Sequence, residues 1–487
     1  MPLLVRGLRS GIRIVRGLSS TALFAAVLTG ALLGGAPSAS ALPGPGYLAT
    51  GFDSDTLVFD GDQVDAWFPR MEQFDATWVR IPASWRTIAP ANRPPSFVAA
   101  NPGDSHYNWS YLDRAVRDAA ASNEHVLLML DSAPSWALGP NPPSSAWPGT
   151  WRPSPTAYAA FVRAVALRYS GHFPDPSQPG QSLPLVSHFQ AWNEPNLPVT
   201  LAPQWTRVGH SWVPASPTIY RGLLNAAYAS IKSVQPNAYV LAAGLGPYGD
   251  PPGAARMRPV LFLRELLCLH GASLHPERCD APAHLDAIDM HPYAFTPTIH
   301  AFNADDVSVP DLGRLSRVLQ AALRTGRALP RGQKSIWVTE VDWSSSPPDS
   351  LGIPLAQQAR YVALAFYETW LQGVSHTFWY ELLDPGGPAG SFTGAGLFFA
   401  RGLAKPATVA FRFPFVALDD GNGVLTLWGR APTAGVVTVE VARGGTWGPL
   451  TQLRTTRGGV FYARQRIGSH LTLRARLGAI ASYPWSS

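Results

Sequence analysis

Eight short apolar segments, separated by amphipathic helical patterns, constrain the fold of this chain more than any other feature. Each segment is seven or eight residues long and rich in β-branched or aromatic side chains, and from the second onward the spacing is close to fifty residues. Strands that alternate with helices form parallel sheets, and eight such units favour a closed (β/α)8 barrel. The segments occupy residues 46–52, 76–83, 125–131, 188–194, 238–244, 285–291, 335–341 and 375–381.

The helical patterns between these segments support the same fold. Two of them open with Ser-Pro, at Ser154 and Ser216, which predicts an N-cap followed by proline at the first helical position. The alternative, an open doubly wound sheet, usually has a Gly-rich phosphate turn after its first strand, whereas DSDTLVFDGD follows here. We therefore expect a TIM barrel over residues 42–411. The patterns cover residues 109–121, 154–170, 216–234, 257–268, 312–326, 354–373 and 405–411.

The periodicity changes after the barrel, and residues 412–487 are predicted to form a small C-terminal β-sandwich. Polar and apolar residues alternate there as in half-buried strands, with Gly-rich turns between them. One hypothesis is that Trp428, Trp447 or Trp485 binds carbohydrate. The other, a structural partner of the barrel, is favoured because no cluster of neighbouring aromatics marks a binding face. The alternating segments are 424–431, 435–444, 459–467 and 470–478.

The N-terminal 41 residues have the pattern of a cleaved secretory signal peptide. Four arginines precede an apolar, small-residue stretch at about 18–36, and Ala-Ser-Ala at 39–41 supplies a cleavage site. The alternative is an uncleaved membrane anchor, but the serines, threonine and glycines make this stretch a poor spanning helix. We expect a secreted protein with no stable membrane insertion.

The positive charge of the chain does not indicate nucleic-acid binding. The formal net charge is +6, but removing the four N-terminal arginines from the 38 basic residues leaves 34 against 32 acidic ones. No basic run occurs elsewhere, and lysine is found at only three positions. The preference for arginine, with abundant alanine, glycine and proline, is typical of a GC-rich bacterial genome.

The two cysteines, Cys268 and Cys279, are predicted to form one disulfide, because an exported protein favours a bridge over a free pair. Cys279 lies in the loop that runs from a helix into the sixth strand, which is at the end of a barrel associated with stability. A metal site would need His and Asp ligands gathered at strand ends. His291 is the one clear candidate of that kind, so the sequence predicts no metal and no cofactor.

Two glutamates stand where strands of the barrel should end. Glu194 ends the fourth strand in HFQAWNEPNL, and Glu340 ends the seventh in WVTEVDW. Active sites of such barrels are built at the carboxyl ends of the strands, and the loops that follow these strands are long and rich in Pro and aromatics. Two carboxylates on one rim are what cleavage of a glycosidic bond requires.

Several motifs occur in an order that resembles glycoside hydrolase clan A, with families 39 and 5 the most similar. They are Arg80 in TWVRIPASW, WNEPN at the fourth strand, HPY at the sixth, TE at the seventh and FWY at the eighth. The resemblance covers about residues 47–411 and does not specify the sugar. It implies a retaining mechanism, with Glu194 as general acid/base and Glu340 as nucleophile. Retention would place the two carboxyl groups about 5 Å apart.

Other residues near these motifs have chemistry that suits the same reaction. Asn193 is expected to donate its amide to the sugar 2-hydroxyl, and Arg80 to hold Glu340 ionised. Tyr293 would hydrogen-bond the same nucleophile, and His291 would bond the sugar or orient the acid. Glu194 has to stay protonated, which the negative charge of Glu340 favours.

Aromatic and acidic residues at other strand ends complete the candidate list. By the resemblance, Trp379 is predicted to form a platform beneath the sugar, with a core tryptophan as the alternative. Asp131 either binds a hydroxyl or caps a turn, and Trp136 is a further substrate-binding candidate in a loop.

The predicted protein is a secreted retaining glycosidase acting on a glycoside or polysaccharide. A non-catalytic glycan-binding barrel and a transglycosylase remain the alternatives.

Overall fold

The computed structural model describes residues 42–53, 64–385 and 394–487. The predicted signal peptide, residues 1–41, lies outside these ranges. Leu42–Ser487 form one compact unit. Among the helices of the described residues, none is both long and apolar enough for a membrane span.

Eight parallel strands close into the predicted barrel, each pairing with the strands before and after it in the chain. Trp78 on the second strand contacts Trp337 on the seventh, with ring centroids 5.2 Å apart. These two strands are not neighbours in the sheet, so the contact crosses the barrel interior, which is filled with side chains. The strands are β1 Ala49–Asp53, β2 Trp78–Ser84, β3 His125–Asp131, β4 His188–Ala191, β5 Tyr239–Leu245, β6 Ala287–Met290, β7 Ser335–Val338 and β8 His376–Tyr380.

The helices cover the outside of the barrel at the predicted positions. Two further helices, at residues 64–73 and 85–88, were not predicted, and the first contains Pro69, which disturbs the helical pattern in the sequence. The Ser154 side chain caps its helix by accepting from the Ala157 N–H at 3.3 Å. Ser216 does not act as a cap, because its hydroxyl donates to Gln204 Oε1 at 2.9 Å. The helices are α1 Val64–Gln73, α2 Trp85–Ile88, α3 Ser110–Ala121, α4 Pro155–Arg168, α5 Ser216–Val234, α6 Pro259–Leu266, α7 Gly313–Thr325, α8 Leu355–Leu371 and α9 Ala407–Arg412.

Two antiparallel sheets follow the barrel, as the alternating sequence predicts. Four strands were not predicted: residues 415–419, 446–454, 480–481 and 485–486. The longest of them, residues 446–454, contains Gly448 and Pro449. It lies at the edge of its sheet, where a proline is tolerated because no neighbour needs its N–H. The strands are β9 Phe415–Asp419, β10 Val424–Arg430, β11 Val436–Arg443, β12 Thr446–Arg454, β13 Val460–Arg466, β14 Thr472–Leu477, β15 Ile480–Ala481 and β16 Trp485–Ser486.

The tryptophans of these sheets are engaged in packing. Trp428 is fully buried, and its ring lies 5.5 Å from that of Trp370 on α8 of the barrel. The Arg474 guanidinium covers the ring of Trp447 at 4.3 Å. Trp485 is 9% exposed. These contacts agree with the structural hypothesis for this part of the chain.

The predicted disulfide is present between Cys268 and Cys279, whose Cα atoms are 6.0 Å apart. Both residues lie between α6 and β6, so the bridge is at the amino-terminal ends of the barrel strands. The two glutamates lie beyond the opposite ends of their strands. The bridge therefore belongs to the supporting side of the barrel, as the sequence predicts.

Candidate active site

Glu194 and Glu340 meet at the carboxyl end of the barrel. Glu194 follows β4 by three residues and Glu340 follows β7 by two. A carboxylate oxygen of each and a ring nitrogen of His291 all lie within 4.8 Å of one another. Carboxyl groups about 5–5.5 Å apart are typical of retaining glycosidases, whereas inverting enzymes leave room for a water between them.

The chain turns sharply after β4, and this turn aims Glu194 at the cavity. Trp192 and Glu194 have φ angles of +71° and +39°, in a region that is unfavourable for residues other than glycine. Hydrogen bonds hold the turn in this conformation: the Glu194 N–H donates to Gly244 O at 3.0 Å, and Thr200 Oγ1 donates to Glu194 O at 2.5 Å. Non-glycine residues with positive φ are concentrated at functional sites, where surrounding bonds stabilise them.

Arg80 connects four strands beneath the two glutamates. Its side chain is 2% exposed, and Nη1 donates to Glu340 Oε1 at 2.6 Å and also to Asp53. Nη2 donates to Asn193 Oδ1 at 2.7 Å, and Nε donates to Gln190 Oε1 at 2.8 Å. Burial acts to lower the pKa of Arg80, but Asp53 and Glu340 raise it above its ordinary value. The guanidinium therefore stays charged and fixes the positions of Glu340 and Asn193.

Tyr293 and two cations keep Glu340 ionised. Burial acts to raise the pKa of Glu340, but the charges of His291 and Arg80 and the Tyr293 hydrogen bond outweigh it, so the pKa is lowered. The Tyr293 hydroxyl donates to Glu340 Oε2 at 2.8 Å. Burial and the Glu340 charge raise the pKa of Tyr293 well above its ordinary value, so the phenol keeps its proton. This environment favours a carboxylate at Glu340.

His291 lies between the two glutamates and is fully buried. Its Nδ1 is 3.1 Å from Glu194 Oε1 and 3.3 Å from Glu340 Oε1. Its Nε2 is 3.1 Å from Thr339 Oγ1, which in turn donates to Asp289 Oδ2 at 2.6 Å. Burial acts to lower the pKa of His291, but Glu340, Asp289 and Glu194 raise it to about 10. The imidazolium is thus the link between the two acids.

A cavity of about 420 Å³ opens above these residues. Six of the residues that were predicted at the site line it: Arg80, Asp131, Asn193, Glu194, Tyr293 and Glu340. Because Asn193 Oδ1 accepts from Arg80, its amide N–H group is left to donate to a ligand in the cavity. The other lining residues are Asp53, Pro82, Ser84, Met129, Ser132 and Tyr380.

No family model and no curated protein sequence matches this chain. A family 39 glycoside hydrolase from Bacteroides cellulosilyticus WH2 superposes with a TM-score of 0.51 at 18% identity, covering 88% of this chain and 80% of that one. A monomeric beta-xylosidase from Caulobacter crescentus CB15 has a TM-score of 0.50 at 15% identity, covering 87% of this chain and 95% of that one. The chain shares the fold of these two glycoside hydrolases. The resemblance predicted from the motifs is confirmed for the architecture.

Within this barrel, Trp379 does not form the predicted platform. Its side chain is fully buried, its indole N–H donates to Ala395 O at 2.9 Å, and its ring lies 6.1 Å from that of Trp343. Side chains alternate across a strand. Since Phe378 belongs to the cluster inside the barrel, Trp379 points to the helix layer and Tyr380 into the cavity. The aromatic residue at this wall is therefore Tyr380.

Trp136 also has a packing role in the barrel. Its indole N–H donates to Pro90 O at 2.8 Å, and its ring lies edge-on to Trp85 at 5.7 Å. The Arg93 guanidinium lies 5.3 Å from the same ring. These contacts join the loops after β2 and β3, and the residue is not part of the cavity wall described above. Substrate binding by Trp136 therefore stays a prediction.

Several residues of the site were not predicted, and most of them are polar positions within apolar strands. Asp53 ends β1, Gln190 lies in β4, and Asp289 lies in β6, each buried. A polar side chain in a buried strand needs a partner. The sequence therefore showed that these three polar residues need partners, but it did not show which ones. Arg80, on β2, pairs with Asp53 and Gln190, and Thr339, just after β7, pairs with Asp289.

Proposed function

We propose that this protein is an exported retaining glycoside hydrolase that cleaves O-glycosidic bonds by double displacement. The observation that carries the proposal is the placing of Glu194 and Glu340 carboxylate oxygens within 4.8 Å of each other. Glu340 is surrounded by hydrogen-bond donors, as a nucleophilic carboxylate requires. The clan A fold makes the same chemistry plausible by analogy.

In the first step, Glu340 attacks the anomeric carbon and Glu194 gives its proton to the departing glycosidic oxygen. The covalent glycosyl–enzyme bond forms as the bond to the leaving group breaks. Arg80 and Tyr293 align the attacking carboxylate through bonds of 2.6 and 2.8 Å. The Asn193 amide is positioned to donate to the sugar 2-hydroxyl, an interaction that strengthens as positive charge grows on the ring.

In the second step, Glu194 acts as a base towards water. Covalent glycosylation removes the charge of Glu340, and Glu194 then accepts a proton from the water that attacks the anomeric carbon, while the bond from that carbon to Glu340 breaks and restores the Glu340 carboxylate. His291 Nδ1 lies 3.1 Å from Glu194 Oε1, and this hydrogen bond holds the carboxyl group in place. The sugar is released with its original anomeric configuration, because two inversions have occurred. Transfer to another sugar in place of water would give a transglycosylase.

Export is part of the proposal. The pattern of residues 1–41 supports it, and so does the bridge between Cys268 and Cys279, because disulfides persist in oxidising compartments. Detection of a mature chain that begins near residue 42 in the culture medium would test this point.

A metal-dependent hydrolase is a second candidate, since Glu194, His291 and Glu340 each offer a ligand atom within 4.8 Å of the others. The Arg80 guanidinium argues against it, because it donates to Glu340 Oε1 at 2.6 Å and so places a positive charge beside one of the three ligands. Activity that survives extended dialysis against a chelator agrees with the proposed function. Loss of activity that zinc or calcium restores favours the metal enzyme.

The decisive experiment compares wild type with Glu194→Ala and Glu340→Ala on chromogenic glycosides of xylose, glucose, galactose, arabinose and mannose. Both variants should lose activity, by about 10²–10⁴-fold for Glu194 on the basis of its acid–base role. Azide should partly restore Glu194→Ala, because a small anion replaces water in the second step without needing a base. Glu277→Ala is the matched control, since that side chain is 52% exposed and lies beside the disulfide. Full activity in either site variant would refute the assignment.

A further inference from the structure

A second cavity lies on the same face of the barrel. It has a volume of about 250 Å³ and is formed by the loops that follow β3, β4 and β5. Three indole rings, those of Trp151, Trp205 and Trp212, line it. We call it the tryptophan cleft. None of the reaction steps above uses these residues.

The rings of the tryptophan cleft are held in place before any ligand binds. The Trp151 indole N–H donates to Pro140 O at 3.1 Å. Trp212 packs on Gly253, where φ is +87° and a Cβ atom would overlap the indole, so glycine is required. The Arg207 guanidinium lies 5.9 Å from the centre of the same ring. Trp212 nevertheless remains 45% exposed, which leaves a fixed aromatic surface open to a ligand.

Trp205 provides a polar group at this wall. Trp205 is only 8% exposed. Its indole N–H has no hydrogen-bond acceptor within the described part of the chain. A buried donor without an acceptor is unfavourable by about 1–3 kcal/mol. Such groups in native structures are usually met by water or by a ligand.

The composition of the cleft favours an uncharged ligand. Its walls are tryptophan, proline, alanine, serine, glycine and Gln204, and none of the described residues that line it is charged. Phosphate groups and acidic peptides are bound by arginine clusters, which this cleft lacks among those residues. Flat aromatic faces suit the apolar faces of neutral sugar rings.

The cleft adjoins Glu194 through the chain itself. Pro198, a wall residue, follows Glu194 by four positions, so their Cα atoms are no more than roughly 14 Å apart. The Gln204 side chain, also in the wall, donates to Pro195 O at 2.9 Å. The β3 loop contributes Ser132 to the catalytic cavity and Trp151 to the cleft. The two cavities thus share two loops.

We infer that the tryptophan cleft binds the leaving-group sugars of a neutral oligosaccharide or polysaccharide. This inference rests on the proposed function. The general acid protonates the departing oxygen, so the leaving group lies on the side of Glu194. The loop that carries Glu194 continues into the wall of the cleft, so the cleft lies on the same side. The preferred substrate is then a chain of neutral sugars and not a small monoglycoside.

The test measures kcat and KM for a trisaccharide and for the 4-nitrophenyl glycoside of the same sugar. Xylotriose, cellotriose and mannotriose are suitable probes. Trp151→Ala and Trp212→Ala should raise KM for the trisaccharide about three- to tenfold, and should affect the nitrophenyl glycoside less. Trp147→Ala is the matched control, because it is 58% exposed on the same loop and is not one of the residues lining the cleft. It should leave the ratio of the two KM values unchanged.

A binding measurement separates this inference from the proposed function. In a Glu340→Gln background, Trp212→Ala should weaken trisaccharide binding, measured by calorimetry, by the same three- to tenfold factor. Equal changes for both substrates, or unchanged trisaccharide affinity, would overturn the inference while leaving the proposed function intact. Failure of the wild type to cleave any glycoside would instead overturn the proposed function.

Discussion

Arg80 Nη1 lies 2.6 Å from Glu340 Oε1, although 260 positions separate the two residues. The same guanidinium contacts Asp53, Asn193 and Gln190, so one side chain joins β1, β2, β4 and the turn after β7. Because the guanidinium is planar and its donors are fixed relative to one another, it holds these acceptors in one arrangement. The geometry of the candidate nucleophile therefore depends on closure of the barrel.

Arg80→Gln should remove that arrangement and leave Asp53 and Glu340 buried without the guanidinium that they share. We expect the free energy of unfolding to fall by about 3–5 kcal/mol, as for other buried pairs that lose one partner. The measurement is urea denaturation at pH 7. Arg256→Gln is the control, since its pair with Asp250 is 48% and 26% exposed and should contribute about 0–1 kcal/mol. Similar losses in the two variants would contradict this account.

His291 should make stability depend on pH. Its pKa is raised from an ordinary value of 6.5 to about 10, so its contribution is fully present below pH 6.5 and is lost as the pH rises towards 10. The difference in unfolding free energy between wild type and His291→Asn should therefore be largest near pH 6 and become smaller towards pH 10. Its size near pH 6 should be on the order of a few kcal/mol. A difference that stays constant between pH 6 and 10 would mean that His291 is not protonated.

Tyr293→Phe should weaken catalysis and shift its pH dependence. Loss of a hydrogen bond to a charged carboxylate, about 1.5–3 kcal/mol, predicts a kcat/KM about 10–100-fold lower. The Tyr293 bond lowers the pKa of Glu340, so its removal should move the acidic limb of the pH–rate profile to higher pH. Tyr228→Phe, on the outer helix α5, is the control, and its profile should match that of wild type. If the acidic limb of the Tyr293→Phe profile stayed at the wild-type pH, the Tyr293 hydrogen bond would not be what lowers the pKa of Glu340.

Replacing both Cys268 and Cys279 by serine should lower stability without impairing the chemistry. The bridge closes a loop with a sequence separation of 11, for which chain entropy predicts about 3 kcal/mol. Calorimetry should show a lower Tm, while kcat at 25 °C should remain as in wild type, because the bridge is at the end of the barrel opposite the glutamates. A reduced kcat in a folded variant would contradict this separation of the two ends.

The order of the strands and helices could be predicted from the sequence because it depends on local periodicity. Apolar runs and helical patterns are properties of neighbouring residues, and the closed barrel follows from counting them. The positions of Glu194 and Glu340 follow as well, because parallel strands bring their carboxyl ends to one rim. The disulfide between Cys268 and Cys279 could also be predicted from the sequence, since only two cysteines exist.

Only the tertiary structure decided which side chains enter the cavity. Trp379 and Tyr380 are adjacent, and the strand's alternation sends one to the helix layer and the other to the cavity. Asp53 and Gln190 became part of the site because Arg80 reaches both from a different strand. The tryptophan cleft likewise needs three loops to meet. Local pattern is set by neighbours along the chain, whereas a site is set by register and closure, which join residues far apart in sequence.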